Sequence, residues 1–193
     1  MNKKLKKRIE ELTREEISIV PYNPEWPDLF NKEAAFLRNK LPRNIIKRIE
    51  HFGSTAVPDL SAKPIIDILV EVSSLKEVKK QIVPIMESEG YEYFWRPIIG
   101  NKPPYYAWFI KRNSRGIRTY HIHMVKGDSE LWDRLYFRDY LKEFPVEAKR
   151  YEELKKSLSV ELPNDRVEYT KRKTGFIVSI TKKAKEHYDI SHM

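Results

Sequence analysis

Two histidines flank a single isoleucine in YHIHMV, His121 and His123. Side chains alternate along a strand, so both imidazoles fall on one face, at a spacing that suits two nitrogens gripping one metal ion. A second group lies upstream in HFGSTAVPDLSAKPIIDILVEV, residues 51 to 72. It begins with a Gly-Ser turn and ends in an apolar strand with Asp67 in its middle. A carboxylate inside such a strand costs free energy unless it has a partner. Gly53 lets backbone N–H groups approach phosphate oxygens, and the Ser54 hydroxyl adds a donor. Asp67 can hold a magnesium ion that bridges to those phosphates, which makes it the candidate catalytic residue. A phosphate cradle with a metal carboxylate is the working core of phosphoryl and nucleotidyl transfer. The plainer alternative is a tight turn followed by a strand whose Asp pairs with a surface lysine.

Asp67, His121 and His123 together make a different proposition. Two imidazoles and a carboxylate leave open positions on zinc, manganese or iron, as a metal hydrolase needs. His51, just ahead of the Gly-Ser turn, is a candidate fourth participant. Without metal, the same imidazoles can bind phosphate or move protons, or simply hydrogen-bond to neighbours on a wet sheet face.

Strand alternation also assigns the faces. Ile66, Ile68, Val70 and Val72 form the core face, and Ile65, Asp67, Leu69 and Glu71 the open one. Glu71 is a candidate ligand on the correct face. It stands roughly 13 Å along the strand from Asp67, against roughly 6.6 Å for a two-residue step, so without a bulge the two do not share one ion.

Several cations could neutralise a phosphate. Lys63 stands where the loop turns into the strand. Arg118 precedes the histidine pair, and with Lys111, Arg112 and Arg115 it gives the hairpin a basic edge that also discourages unwanted strand pairing. Arg138 follows Leu131 and Leu135 on an apolar helical stripe, and Lys173 interrupts the stripe of Tyr169, Phe176 and Ile180. Inward cations either snorkel to water or meet an anion. Pointing at the open sheet face, Arg138 and Lys173 would complete a basic phosphate pocket. Trp95, Tyr105, Tyr106 and Trp108 are available to stack on a base, or to pack.

The elements that must position these groups follow from pattern. Residues 1–16 carry Leu5, Ile9 and Leu12 on one helical stripe, a lead helix. A short strand is expected over residues 17–20 and a helix from near Pro24–Asp28 to Leu41. Strands follow over 45–52 and 64–72. Ser74 caps a helix that Gly90 ends and Pro84 bends. Residues 91–95 form a strand, and 105–111 and 117–125 flank the RNSRG turn as a hairpin. Helices over 129–143, 146–159 and 164–187 finish the chain. This order predicts an α/β (α+β) domain over residues 1–193, a mixed sheet with helices mainly on one face, plus C-terminal helices.

The chain of 193 residues has no cysteine, which removes disulfides, thiolate zinc sites and cysteine nucleophiles. Any metal is held by His, Asp, Glu or water. Lys and Arg number 37 against 28 Asp and Glu, a balance that favours phosphate-bearing partners, nucleotide or RNA. No stretch reaches the length of a membrane span, and the lysine-rich start lacks the apolar core of a secretory signal, so a cytoplasmic protein is expected.

Five blocks, VPYNPEWPDLF, HFGSTAVPDLSAKPIIDILV, RTYHIHMV, LYFRDYL and YTKRKTGFI, span Val20 to Ile177 and resemble the GrpB family, itself similar to the nucleotidyltransferase superfamily. The resemblance implies a nucleotidyltransferase-like fold and, through the superfamily signature, phosphate contacts at Gly53 and Ser54 and a metal acid at Asp67. The second acid of that signature falls at Leu69, which cannot hold a metal. GrpB-like domains also occur joined to dephospho-CoA kinase. The resemblance therefore also implies a second role, a non-catalytic module that binds nucleotide or a coenzyme-A-related molecule.

Overall fold

In the computed structural model, which describes residues 3–97 and 103–190, five strands form one mixed sheet. They are β1 (Ile46–Phe52), β2 (Ile66–Val72), β3 (Glu92–Arg96), β4 (Tyr106–Arg112) and β5 (Arg118–Val125), in the spatial order β1-β2-β5-β4-β3. Only the central β2–β5 pair is parallel. The other three pairs are antiparallel. The expected residues 1, 2, 98–102 and 191–193 lie outside the described residues.

The helices are α1 (Lys3–Arg14), α2 (Trp26–Lys40), α3 (Leu75–Glu77), α4 (Val83–Ser88), α5 (Asp133–Glu143), α6 (Pro145–Glu161) and α7 (Arg166–His187). α3 and α4 are parts of one helical stretch, joined by a π-helical turn over Val78–Ile82. Pro84, at the start of α4, has no N–H to give the preceding turn, so the ladder there is rebuilt with wider spacing. The expected strand over 17–20 is reduced to a single bridge between Val20 and Ala62.

The main core lies on the face that carries Ile66, Ile68, Val70 and Val72. These pack against Ala34 and Leu37 of α2 and against Val78, Ile82 and Met86. Alternation thus assigns this face correctly. The opposite face is less open than expected. Leu69 is fully buried with Phe52, Tyr106 and Val125 against Leu135 of α5, and Leu131 and Trp132 pack around them. Leu12 of α1 covers Phe94 and Ile110 further across. The C-terminal helices thus roof that second face and turn it into the floor of a cavity. The RNSRG hairpin forms as expected. Its strands lie inside the sheet, however, because β3 and β1 are the edges. Lys111 and Arg112 there are ion-paired: Lys111 to Glu33 at 3.0 Å, and Arg112 to Glu15 at 2.7 Å and to Glu92.

Candidate functional site

The cavity has a volume of about 660 Å³. Its floor is the sheet, which presents Asp67 from β2, His121 and His123 from β5, and Trp108 from β4. Parallel pairing puts Asp67 opposite His121 and Leu69 opposite His123. The two imidazoles therefore stand at the levels of the signature's first acid and of its missing second acid, one strand to the side.

Phe52 pairs with Asp67, so the Gly-Ser turn that follows β1 lands directly on the carboxylate. Gly53 adopts φ +75°, and a Cβ there would sit 2.6 Å from Asp67 Oδ2. Glycine is needed at this position twice over, for the left-handed backbone and for the close approach. Ser54 follows in the cavity wall, where its hydroxyl shares a hydrogen bond with Tyr151.

Asp67 Oδ1 lies 3.1 Å from His121 Nδ1, and the Asp67 side chain is 29% exposed. Burial opposes the charge of this carboxylate, but the hydrogen bond from His121 and the nearby His123 and Lys63 outweigh it and hold its pKa below the usual value. Burial pushes both imidazoles down, His123 to about 3, so they are neutral at pH 7. Neutral imidazole is the metal-ligating form. His121 Nε2 and His123 Nδ1 are buried with no hydrogen-bond partner. Asp67, His121 and His123 each offer a ligand atom within 4.8 Å of the others. Buried orphan nitrogens beside an ionised carboxylate fit a divalent metal, and two nitrogens with one oxygen suit zinc, manganese or iron better than magnesium.

The other two candidate ligands are elsewhere. His51 points to the helix face, where it stacks on Phe30 at 4.8 Å and Nε2 meets Thr55 Oγ1 at 3.0 Å. It is one residue out of phase with Phe52, whose side chain shares the face of Asp67. Glu71 lies at the other end of β2, where a Cβ on Gly127 would sit 3.0 Å from its Oε1.

Cations form the walls. Lys63 and Lys173 both reach the cavity and stand 5.3 and 4.4 Å from the centroid of the Tyr169 ring. Burial, together with Lys173 and Arg166, pushes Lys63 down to about 7. Burial pushes Lys173 down to about 8, with Asp67 opposing and Arg134 assisting. Arg118 also lines the cavity, although it sits three residues before His121 and a regular strand would point it away. The register irregularity at Lys111/Arg112 in the β4–β5 pairing corrects its phase.

Arg138 is not brought there. It clamps α5 to β1, donating to His51 O at 2.7 Å and Glu50 Oε2 at 3.2 Å, and it is paired with Asp139. The apolar stripe correctly turned it inward, but onto a strand end that already supplies its anions.

Several cavity residues carry no earlier assignment. Lys155 is 2% exposed, is pushed down to about 7 by burial and then by Lys173, and donates to Ser61 O. Its position one turn after Tyr151 on an otherwise apolar stripe was the available signal. Arg166 precedes Tyr169 and Lys173 by three and seven residues, the same face of α7. Tyr169 is fully buried, with an unpartnered hydroxyl. Arg134 completes the wall from α5.

The family model described as "GrpB protein" matches residues 16–183. The chain belongs to the GrpB family. The Glutamate-rich protein GrpB of Alkalihalophilus pseudofirmus is 37% identical over 166 residues, 86% of this chain and 94% of that relative. The crystal structure of conserved protein GrpB from Enterococcus faecalis superposes with a TM-score of 0.77 at 35% identity, covering 89% of this chain and 99% of that one. Cid1 in complex with its short product ApU aligns at a TM-score of 0.44 and 13% identity over 79% of this chain and 43% of its own, too low to carry a conclusion. Four of the five sequence blocks, those of the Gly-Ser turn and β2, the histidine strand β5, α5 and α7, border one cavity. No helix among the described residues is long and apolar enough to cross a membrane.

Proposed function

We propose that the cavity binds a nucleotide or another polyphosphorylated small molecule together with a divalent metal, and that it supports nucleotidyl or phosphoryl transfer. The observation that carries this reading is the meeting of Asp67, His121 and His123 with Lys63, Lys155, Lys173 and Arg134 in one cavity. Asp67, His121 and His123 would hold the metal, which supplies Lewis-acid polarisation of a phosphoryl oxygen when bound. Gly53 lets the turn press against the carboxylate and fixes its direction. Lys63 and Lys173 neutralise phosphate oxygens, and the Tyr169 hydroxyl is free to donate to one. The roof of α5, α6 and α7 partly screens the charge contacts beneath it from water.

A binding module without turnover is the second reading, and Leu69 favours it. That side chain is fully buried among Phe52, Val125 and Leu135, so β2 offers a single carboxylate to the cavity. The test is calorimetric binding of ATP with and without zinc or manganese, paired with an assay for pyrophosphate or phosphate release. The expected result is metal-enhanced binding that Asp67→Asn weakens at least tenfold with little change in melting temperature. Equal binding by the variant and the parent removes Asp67 from the account. Tight binding with no release selects the module.

A further inference from the structure

The end of α1 forms part of the cavity wall. Leu12 and Thr13 line it, and the next residue but one, Glu15, puts its carboxylate among three guanidinium groups. Glu15 Oε1 lies 2.7 Å from Arg112 Nη2, Glu15 Oε2 lies 2.6 Å from Arg118 Nε, and Arg166 Nη2 is 3.5 Å from Oε2. Arg118 and Arg166 are themselves cavity residues. The same two arginines hold the backbone of this strap, residues 3–15, and of Glu16 beyond it. Arg118 donates to Leu12 O at 2.7 Å, and Arg166 donates to Glu15 O and Glu16 O, each at 3.0 Å.

The rest of the strap has reason to leave. α1 has twelve residues, a length at which a helix is marginal by itself in water. Its sequence, KKLKKRIEELTR, carries six basic and two acidic residues, yet it lies beside a cavity rich in lysine and arginine. The carboxylate of Glu15 matches the charge it meets. Burial opposes that charge, but Arg112 and Arg118 outweigh burial and keep the carboxyl below its usual range, so it is an anion at neutral pH. The family match begins at residue 16, so this strap lies outside the matched region.

We infer that the Arg118–Arg166 pair is an anion subsite of the cavity, that Glu15 occupies it as an internal stand-in, and that a ligand phosphate takes the place of Glu15 and releases α1. This rests on the reading that the cavity takes phosphates. A ligand with several phosphates can span the subsite and the Lys63–Lys173 wall at once, so the release selects for polyphosphate over monophosphate. The exchange is a swap of one anion for another, with no bond made or broken.

The experiment uses the full chain, tripolyphosphate as probe and metal-free buffer. Hydrogen exchange is followed at the amides of residues 3–14, and affinity is compared between the parent and Glu15→Gln. The probe is expected to speed exchange of those amides at least tenfold. Glu15→Gln is expected to bind tripolyphosphate roughly tenfold more tightly, about 1.4 kcal/mol, and to show fast exchange at 3–14 without probe. If the variant fails to fold, exchange in the parent decides. A probe that binds while residues 3–14 stay equally or better protected overturns the inference and makes the strap a fixed wall. A variant that folds and binds no more tightly does the same. No binding of tripolyphosphate to either protein overturns this inference, and the ATP titration with zinc or manganese decides the proposed function separately. Tighter binding by Glu15→Gln, together with an Asp67→Asn variant that binds ATP with zinc or manganese as the parent does, keeps the strap and removes Asp67 as a metal ligand.

Discussion

Replacing Lys63 with methionine should make the unliganded protein more stable and a poorer binder of phosphate. The ammonium of Lys63 is pushed from its ordinary 10.5 down to about 7, first by burial and then by Lys173 and Arg166. That is about 3.5 units, and at 1.36 kcal/mol per unit it corresponds to ~5 kcal/mol of cost when the group is charged. The cavity admits water to the ammonium, which reduces the cost to about 2–3 kcal/mol. Methionine keeps the stem against Tyr169 and removes the charge. The unfolded chain binds more protons at this residue between about pH 7 and 10.5, so the parent gains stability from it as pH rises through that window. The advantage of Lys63→Met is therefore largest below pH 7 and gone near pH 10.5. At pH 6 it amounts to roughly 5–10 °C in melting temperature for a chain of this length. Scanning calorimetry at pH 6 and pH 10, with tripolyphosphate titrations beside it, reads both effects. A variant less stable than the parent at pH 6, or equally advantaged at both pH values, refutes the reasoning that a cation is held there at a net cost for a ligand.

Two further substitutions separate the site from its supports. Gly53→Ala forces a Cβ to within 2.6 Å of Asp67 Oδ2 on a backbone at φ +75°; it should cost about 1–3 kcal/mol in denaturant unfolding and weaken zinc binding in a metal titration. Arg138→Ala breaks the clamp onto His51 O and Glu50, so it should cost about 1–3 kcal/mol of stability while tripolyphosphate affinity stays within twofold of the parent.

The sequence made the sheet and the centre of the site legible because both rest on local periodicity. Alternation along residues 66–72 separated core from cavity correctly, and the one-residue spacing of His121 and His123 placed both imidazoles with Asp67. What escaped depends on contacts far apart in the chain. Alternation could not reveal that α5 covers Leu69, so the face expected to be open is roofed. An apolar stripe says that Arg138 and Lys173 turn inward but not what each meets; one found Glu50 and the other the cavity. His51 was adjacent in sequence to the right turn, and one residue of phase put it on the wrong face. Lys155 and Arg166 acquire meaning only once α6 and α7 close over β2. Glu15 acquires its meaning from partners 97 and 151 residues away.

In the proposed complex one ligand meets the Asp67–His121–His123 group and the lysine wall together. Anomalous diffraction from crystals grown with manganese and a non-hydrolysable nucleoside triphosphate tests it most directly. The expected result is a metal peak bonded by Asp67, His121 and His123, with phosphate oxygens within hydrogen-bond reach of Lys63 and Lys173. Phosphates bound outside the cavity, or a metal peak away from those three side chains, would contradict it.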